Sequence, residues 1–285
     1  MRNKQWHLVV SASKGYEFGL KALLNSFYYY HRNEIGTDKI KIHVLGLDLS
    51  STFSHEINYF HKLERHEKGN AWATKIPRFK YASELNGVVM LLDADMYFTA
   101  NWNIYFQMAE AGFIVAGANG SNFMFHQGWR EKYGIKEIPD FYDTKTISSV
   151  PTILDTEKHG EVWRSIYEHK MNGNGIGADF DLTNIFMLIH KKFNNIVVLP
   201  SQQVTGLHHF MLKPDTRVIK KHAELITTDG LQVLSVHGKW WQSNYIEGIM
   251  RPVERQYGNN PRAMKGALES RNLLIETFEY WKNYK

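Results

Sequence analysis

The chain has 285 residues, with 34 Lys and Arg against 29 Asp and Glu, a formal charge of +5, 14 His and no Cys. That length supplies one large or two small cores without a structural metal or disulfide, and the missing thiols exclude cysteine nucleophiles, thiolate zinc centres and iron–sulfur clusters. No apolar run approaches the ~18 residues of a membrane-spanning helix and no signal-peptide pattern precedes Trp6–Val10, so the expectation is a cytoplasmic protein, its charge compatible with nucleotides, nucleic acid or anionic lipid.

Short apolar runs alternate with helical periodicity, the pattern of an α/β domain with helices on a mostly parallel sheet. His7-Leu8-Val9-Val10 predicts a buried strand, Ser11-Ala12-Ser13-Lys14-Gly15 a turn, and Tyr16, Leu20, Leu23, Leu24 and Phe27 one face of a helix. Lys41–Leu47 predicts a second strand, and Phe53, Ile57 and Phe60 mark one face of a second helix. A third helix over about Thr74–Leu85, stopped by Asn86-Gly87, feeds the most apolar strand of the chain, Val88-Val89-Met90-Leu91-Leu92, which runs straight into Asp93-Ala94-Asp95. Phe113–Gly117 predicts another central strand, Gly120–Ser149 irregular substrate-facing loops, and Thr152-Ile153-Leu154 a strand followed by a helix through Val162, Trp163, Ile166 and Tyr167. Gly173, Gly175 and Gly177 open a turn before Asp179. Met264, Leu268, Leu274, Phe278 and Trp281 predict a C-terminal helix, packed on the domain or alternatively exposed to a membrane surface or a partner. The expected division is a main domain over 1–245 and a helical extension over 246–285.

Asp93 and Asp95 stand two apart at a strand end, so in extended backbone both carboxylates face one side at the carboxyl edge where α/β sheets bind ligands. Paired oxygens there suit Mg²⁺ or Mn²⁺ bridging to nucleotide phosphates; the alternative is a pair of turn carboxylates. Lys75 and Arg78, three apart, share one helix face, either toward that edge or toward solvent. Asp179 and Asp181 read as helix N-terminal acids. Trp129, Tyr133, Phe141, Tyr142, Trp240 and Trp241 fall in predicted loops, as stacking platforms for sugars or bases or as core. His208 and His209 are adjacent and point oppositely, which sets them aside as a metal pair.

Leu91-Leu92-Asp93-Ala94-Asp95-Met96 resembles the D-x-D strand end of GT-A fold glycosyltransferases, in particular family 8, the glycogenin and lipopolysaccharide galactosyltransferase group. Ser11-Ala12-Ser13-Lys14-Gly15-Tyr16 takes the place of that family's A-A-D-x-x-Y nucleotide loop, with Tyr16 matched and Ser13 where the family has an acid. Ala178-Asp179-Phe180-Asp181-Leu182-Thr183-Asn184 is similar to D-Q-D-x-L-N, with Phe180 in place of the Gln near the reacting carbon. Val236-His237-Gly238-Lys239-Trp240 looks like a shortened H-x-x-G-x-K-P-W, while the family's N-x-G strand is not found at Ser148–Asp155.

The resemblance implies a GT-A, Rossmann-like α/β fold with a mixed, mostly parallel sheet flanked by helices. It implies a metal held by Asp93, Asp95 and His237, where an imidazole beside two carboxylates suits Mn²⁺ better than Mg²⁺. It implies a nucleotide-sugar donor, UDP-linked, contacted by Ala12, Ser13, Tyr16, Lys75, Arg78, Asp93, Ala94, Asn184 and Gly238, with Asp179, Asp181 and Lys239 in the catalytic step. The implied activity is transfer of a hexosyl or pentosyl group, with retention, to an acceptor hydroxyl on a glycan or, as the alternative acceptor, on a hydroxymethylated base in DNA. A metal-dependent nucleotidyltransferase and a non-catalytic sugar-binding protein are the readings from other classes.

Overall fold

The computed structural model describes residues 4–50, 57–122, 128–137, 145–172, 179–204, 217–221 and 224–284. Phe53, Phe141, Tyr142, Gly173, Gly175, Gly177, His208 and His209 lie outside them. In chain order the described elements begin with β1 (Trp6–Ser13), α1 (Glu17–Gly36), β2 (Ile40–Leu47), β3 (Tyr59–Lys62), α2 (Asn70–Glu84), β4 (Val88–Asp93) and β5 (Met96–Phe98). They continue with α3 (Asn103–Ala111), β6 (Ile114–Asn122), α4 (Trp129–Tyr133), β7 (Lys145–Asp155), α5 (Thr156–His159), α6 (Glu161–Met171) and α7 (Asp179–Ile189). Then come β8 (Ile196–Leu199), α8 (Ser201–Val204), β9 (Val218–Lys221), β10 (Glu224–Thr227), β11 (Ser235–His237) and two helices, Ser243–Tyr257 and Pro261–Asn283.

Among the described residues the main sheet has seven strands in the order β3-β2-β1-β4-β7-β6-β8. β1 and β4 read as continuous apolar runs because both faces of a central parallel strand are covered, and Leu8, Val9, Val10 and Val88 through Leu92 are all buried. The chain winds outward from β1 to β2 and β3, then returns to place β4 on the other side of β1. That reversal leaves a crevice between the carboxyl ends of β1 and β4, where Ser11 pairs with Asp93. β7 runs antiparallel between β4 and β6, which makes the sheet mixed.

Phe60 departs from the helix its spacing predicts. β2 offers an unpaired edge, and Tyr59–Lys62 fills it as β3, with the Tyr59 ring stacked on His43 at 4.7 Å. α2 starts at Asn70, after Gly69, four residues before the expected Thr74. The stretch expected to be irregular holds the end of β6, all of α4 and the start of β7, and Trp129, Tyr133 and Trp240 are buried core residues.

The C-terminal helix buries Leu274, Phe278 and Trp281 and packs along α1, leaving Leu268 at the surface. Asn25 of α1 donates from Nδ2 to the carbonyls of Trp281 and Tyr284, at 2.7 and 3.0 Å, at the carboxyl end of that helix. No described helix is long and apolar enough to cross a membrane.

Candidate metal and nucleotide site

β4 delivers Asp93 to the carboxyl edge of the sheet, and the following turn carries Ala94 and Asp95 into β5. β5 pairs antiparallel with β11, Met96 opposite His237, so the histidine arrives beside the two acids from the far end of the chain. The pairing is extended by the Gly238 amide, which donates to the Asp95 carbonyl at 2.7 Å. His237 Nε2 lies 3.1 Å from Asp95 Oδ1 and 3.8 Å from Asp93 Oδ2. One ligand atom from each of the three side chains falls within 4.8 Å of the others, the one such group among the described residues.

Two glycines permit this approach. A side chain at Gly19 would meet the Ala94 carbonyl at 2.5 Å and the Trp241 ring at 2.7 Å, so α1 can pass beneath the acidic turn only without one. Gly238 has φ +142°, a region L-residues avoid, and the Tyr245 hydroxyl occupies the space a Cβ would need.

Burial works against a charge on Asp93, but the Arg78 guanidinium, with Lys75 and His237 beyond it, holds its carboxyl well below the usual carboxylate range. Burial likewise opposes charge on His237, and the charge and hydrogen bond of Asp95, with Asp93 behind, push the imidazole up to about 9. Arg78 occupies Asp93 Oδ1 and leaves Oδ2 toward His237, so hard oxygen and imidazole donors converge as a divalent ion requires.

A cleft of about 460 Å³ opens at this edge, a size suited to a small-molecule ligand. Its walls bring together Ala12, Ser13, Tyr16, Lys75, Arg78, Asp93, Ala94, Asp95 and His237. Ser11 of the same stretch as Ala12 and Ser13 joins them, as do Asn70, Ala71 and Thr74, which were unforeseen from the sequence. The signal was present: Ala71, Thr74, Lys75 and Arg78 fall at i, i+3, i+4 and i+7, one helix face once α2 begins at Asn70. A second, largely apolar cleft of about 520 Å³ lies against the other face of α2, lined by Trp72, Ile76, Tyr81 and Tyr167, away from the carboxylates.

Other expected site residues are placed differently. Lys239 follows the loop past His237 and rests its Nζ 4.9 Å from the Tyr16 ring centre; a hydrogen bond to the Tyr16 hydroxyl raises its pKa. Arg78 has 1% of its side chain exposed and bonds Asp93 and Asp179, so it sits in the wall as a buried brace and not on a solvated face. Asp179 is itself buried, with Lys170 Nζ at 2.5 Å from Oδ1 and Arg78 Nη2 at 2.9 Å from Oδ2. Asp181 accepts from Lys132 at 2.8 Å and from the Tyr133 hydroxyl, tying α7 to α4. Asn184 is fully buried and spends its amide on the Ile147 amide and carbonyl, at 2.8 Å each, and on the Phe180 carbonyl at 2.9 Å, which pins α7 to β7. Asp179, Asp181, Asn184, Gly238 and Lys239 do not line the cleft among the described residues.

No protein-family model and no curated protein sequence matches the chain. Among solved structures, that of the galactosyltransferase LgtC in complex with donor and acceptor sugar analogues is similar over 93% of this chain and 96% of that one, with a TM-score of 0.52 and 14% identity. At that identity the likeness speaks for the path of the backbone. With the mixed, mostly parallel sheet, its reversal at β1 and its flanking helices, it gives this chain the GT-A fold.

Proposed function

We propose that the chain is a metal-dependent glycosyltransferase that takes a sugar from a UDP-linked donor and passes it to an acceptor hydroxyl. The observation that carries this reading is the meeting of Asp93, Asp95 and His237 at the sheet's reversal point, in the wall of a cleft the size of a nucleotide. Asp93 Oδ2, Asp95 and His237 Nε2 would hold Mn²⁺ or Mg²⁺, which neutralises charge growing on a leaving diphosphate. Tyr16, Ala12 and Ser13 at the end of β1 receive the nucleoside, and Lys75 on the cleft face of α2 offers a positive charge to the phosphates. Lys239, held against Tyr16, would add a second positive charge on the nucleotide side, and cations fixed before bond breaking stabilise the transition state more than the ground state.

The resemblance supports retention of anomeric configuration, but Asp179 enters the reading as an anchor of neighbouring cations, because both its oxygens are paired, and Asp181 as the partner of Lys132. A glycan is the acceptor this reading carries. The alternative acceptor, a modified DNA base, is favoured by no observation in the described geometry and is not carried forward.

The test is thermal stability with a panel of nucleotides and nucleotide sugars, with and without Mn²⁺. UDP and one UDP-sugar are expected to raise Tm only with metal, reflecting the ~2.7 kcal/mol of stabilisation that a ligand at a hundred times its Kd contributes, and Asp95→Asn is expected to abolish the metal-dependent part. A response to nucleoside triphosphates alone, with pyrophosphate as product, would replace this reading by nucleotidyl transfer. Ligand-induced shifts without turnover on any acceptor would leave a sugar-binding protein.

A further inference from the structure

Helix α6 buries Val162, Trp163 and Ile166, and Lys170 occupies the next position of the same stripe. Its side chain has no exposure to solvent, and an unpaired ammonium in such a place is strongly disfavoured. Lys170 Nζ lies 2.5 Å from Asp179 Oδ1, and Asp179 Oδ2 accepts from Arg78 Nη2 at 2.9 Å. Arg78 Nη1 in turn donates to Asp93 Oδ1 and, at 3.3 Å, to the Leu92 carbonyl. Alternating charges therefore run from the interior of α6 to the Asp93 carboxylate, with side-chain exposures of 0, 5, 1 and 20% along Lys170, Asp179, Arg78 and Asp93.

A guanidinium beside a lone carboxylate prefers the two-pronged arrangement that engages both oxygens. Arg78 does not adopt it with Asp93, because one of its prongs is committed to Asp179. Asp179 is oriented for that role by Lys170, while Lys75, at 3.6 Å and 43% exposed, makes the weaker claim on it.

We propose that Asp179, its buried charge balanced by Lys170, is a positioning residue: it holds one arm of Arg78 off Asp93, so that Asp93 Oδ2 stays open toward His237 and a divalent cation. This rests on the metal site of the proposed function. Removing both charges frees Arg78 to close on both oxygens of Asp93 and cover the ligand atom. Removing Lys170 alone draws Arg78 toward Asp179 and leaves Asp93 Oδ2 uncovered.

The experiment is calorimetric titration of Mn²⁺ into the full-length protein and into Lys170→Met and Lys170→Met/Asp179→Leu, with Tm measured in parallel. The double variant is expected to be the more stable of the two, since it buries no unpaired charge, and yet to bind Mn²⁺ at least tenfold more weakly than wild type, the loss typical when a group orienting a metal ligand is removed. The single variant is expected to melt lower while keeping the higher affinity. A merely structural ion pair would move Tm and leave Mn²⁺ affinity alone, so a loss smaller than tenfold in the folded double variant overturns the proposal. Where the double variant does not fold, Asp179→Asn is read by the same threshold. Failure of the wild type to bind Mn²⁺ at all is a different result, which overturns the metal site and the proposed function with it.

Discussion

His31 is the reverse of His237. It breaks the regular helix of α1 with φ −123°, points into the core and is fully buried. The Trp102 amide donates to its Nε2 at 3.2 Å, and Nδ1 pairs with Asn103 Oδ1 at 3.0 Å, so one ring nitrogen accepts, the other donates, and the ring is neutral. Burial lowers its pKa from 6.5 to about 4. His43 is pushed down to about 3, chiefly by burial and then by the charges of His7, His61 and Lys41, while it pairs with the Tyr81 hydroxyl at 2.8 Å and with His7 at 2.9 Å. Because the unfolded chain binds these protons first, the stabilisation is complete above about pH 6.5 and is lost as pH falls toward 4. For His31 the loss amounts to about 3 kcal/mol. Urea midpoints measured across that range should fall with acidity, and His31→Gln should flatten the slope. At Gly238 the expected cost of Gly238→Ala is about 1–3 kcal/mol from its backbone region alone, with weaker Mn²⁺ binding because His237 is its neighbour; urea titration and calorimetry check the two halves separately.

At the scale of elements, the junction between α1 and the C-terminal helix is filled by an aromatic cluster. The Trp281 ring packs against Tyr29 at 5.2 Å and Tyr30 at 5.8 Å. Trp281→Ala should therefore cost about 3–5 kcal/mol, and Asn25→Ala about 1 kcal/mol by removing the side-chain donor to the Trp281 and Tyr284 carbonyls, both read from urea midpoints with Mn²⁺ affinity unchanged. The same elements mark how far the sequence could be read. β1 and β4 were legible because a strand buried on both faces has to be apolar throughout, and Asp93 stood out because charge ends so long a run. β3 was not, because what makes Tyr59–Lys62 a strand is the open edge of β2, which no local spacing records. Asp93, Asp95 and His237 could be named from motif order, yet nothing in the motif told that Asp179 would be clasped by Lys170 and Arg78. A lysine on the apolar stripe of α6, in step with Val162 and Ile166, was the visible trace of that arrangement.

For the whole molecule, the GT-A sheet concentrates its chemistry at one reversal, so the cleft draws on β1, α2, β4 and β11 together. The last of these has a consequence for how the protein is made. Asp95 and its partner His237 are 142 residues apart in the chain, so both acids leave the ribosome long before the strand that completes their site. A nascent chain ending before Ser235 carries two of the three proposed ligands, so metal capture would wait for β11 and would report that this strand has docked. Once captured, the ion would lace that late strand to the early core. Amide exchange in Met96–Phe98 and Ser235–Gly238 should then slow more than elsewhere when Mn²⁺ is added, and chains truncated before Ser235 should show no Mn²⁺ uptake even where their sheet has formed.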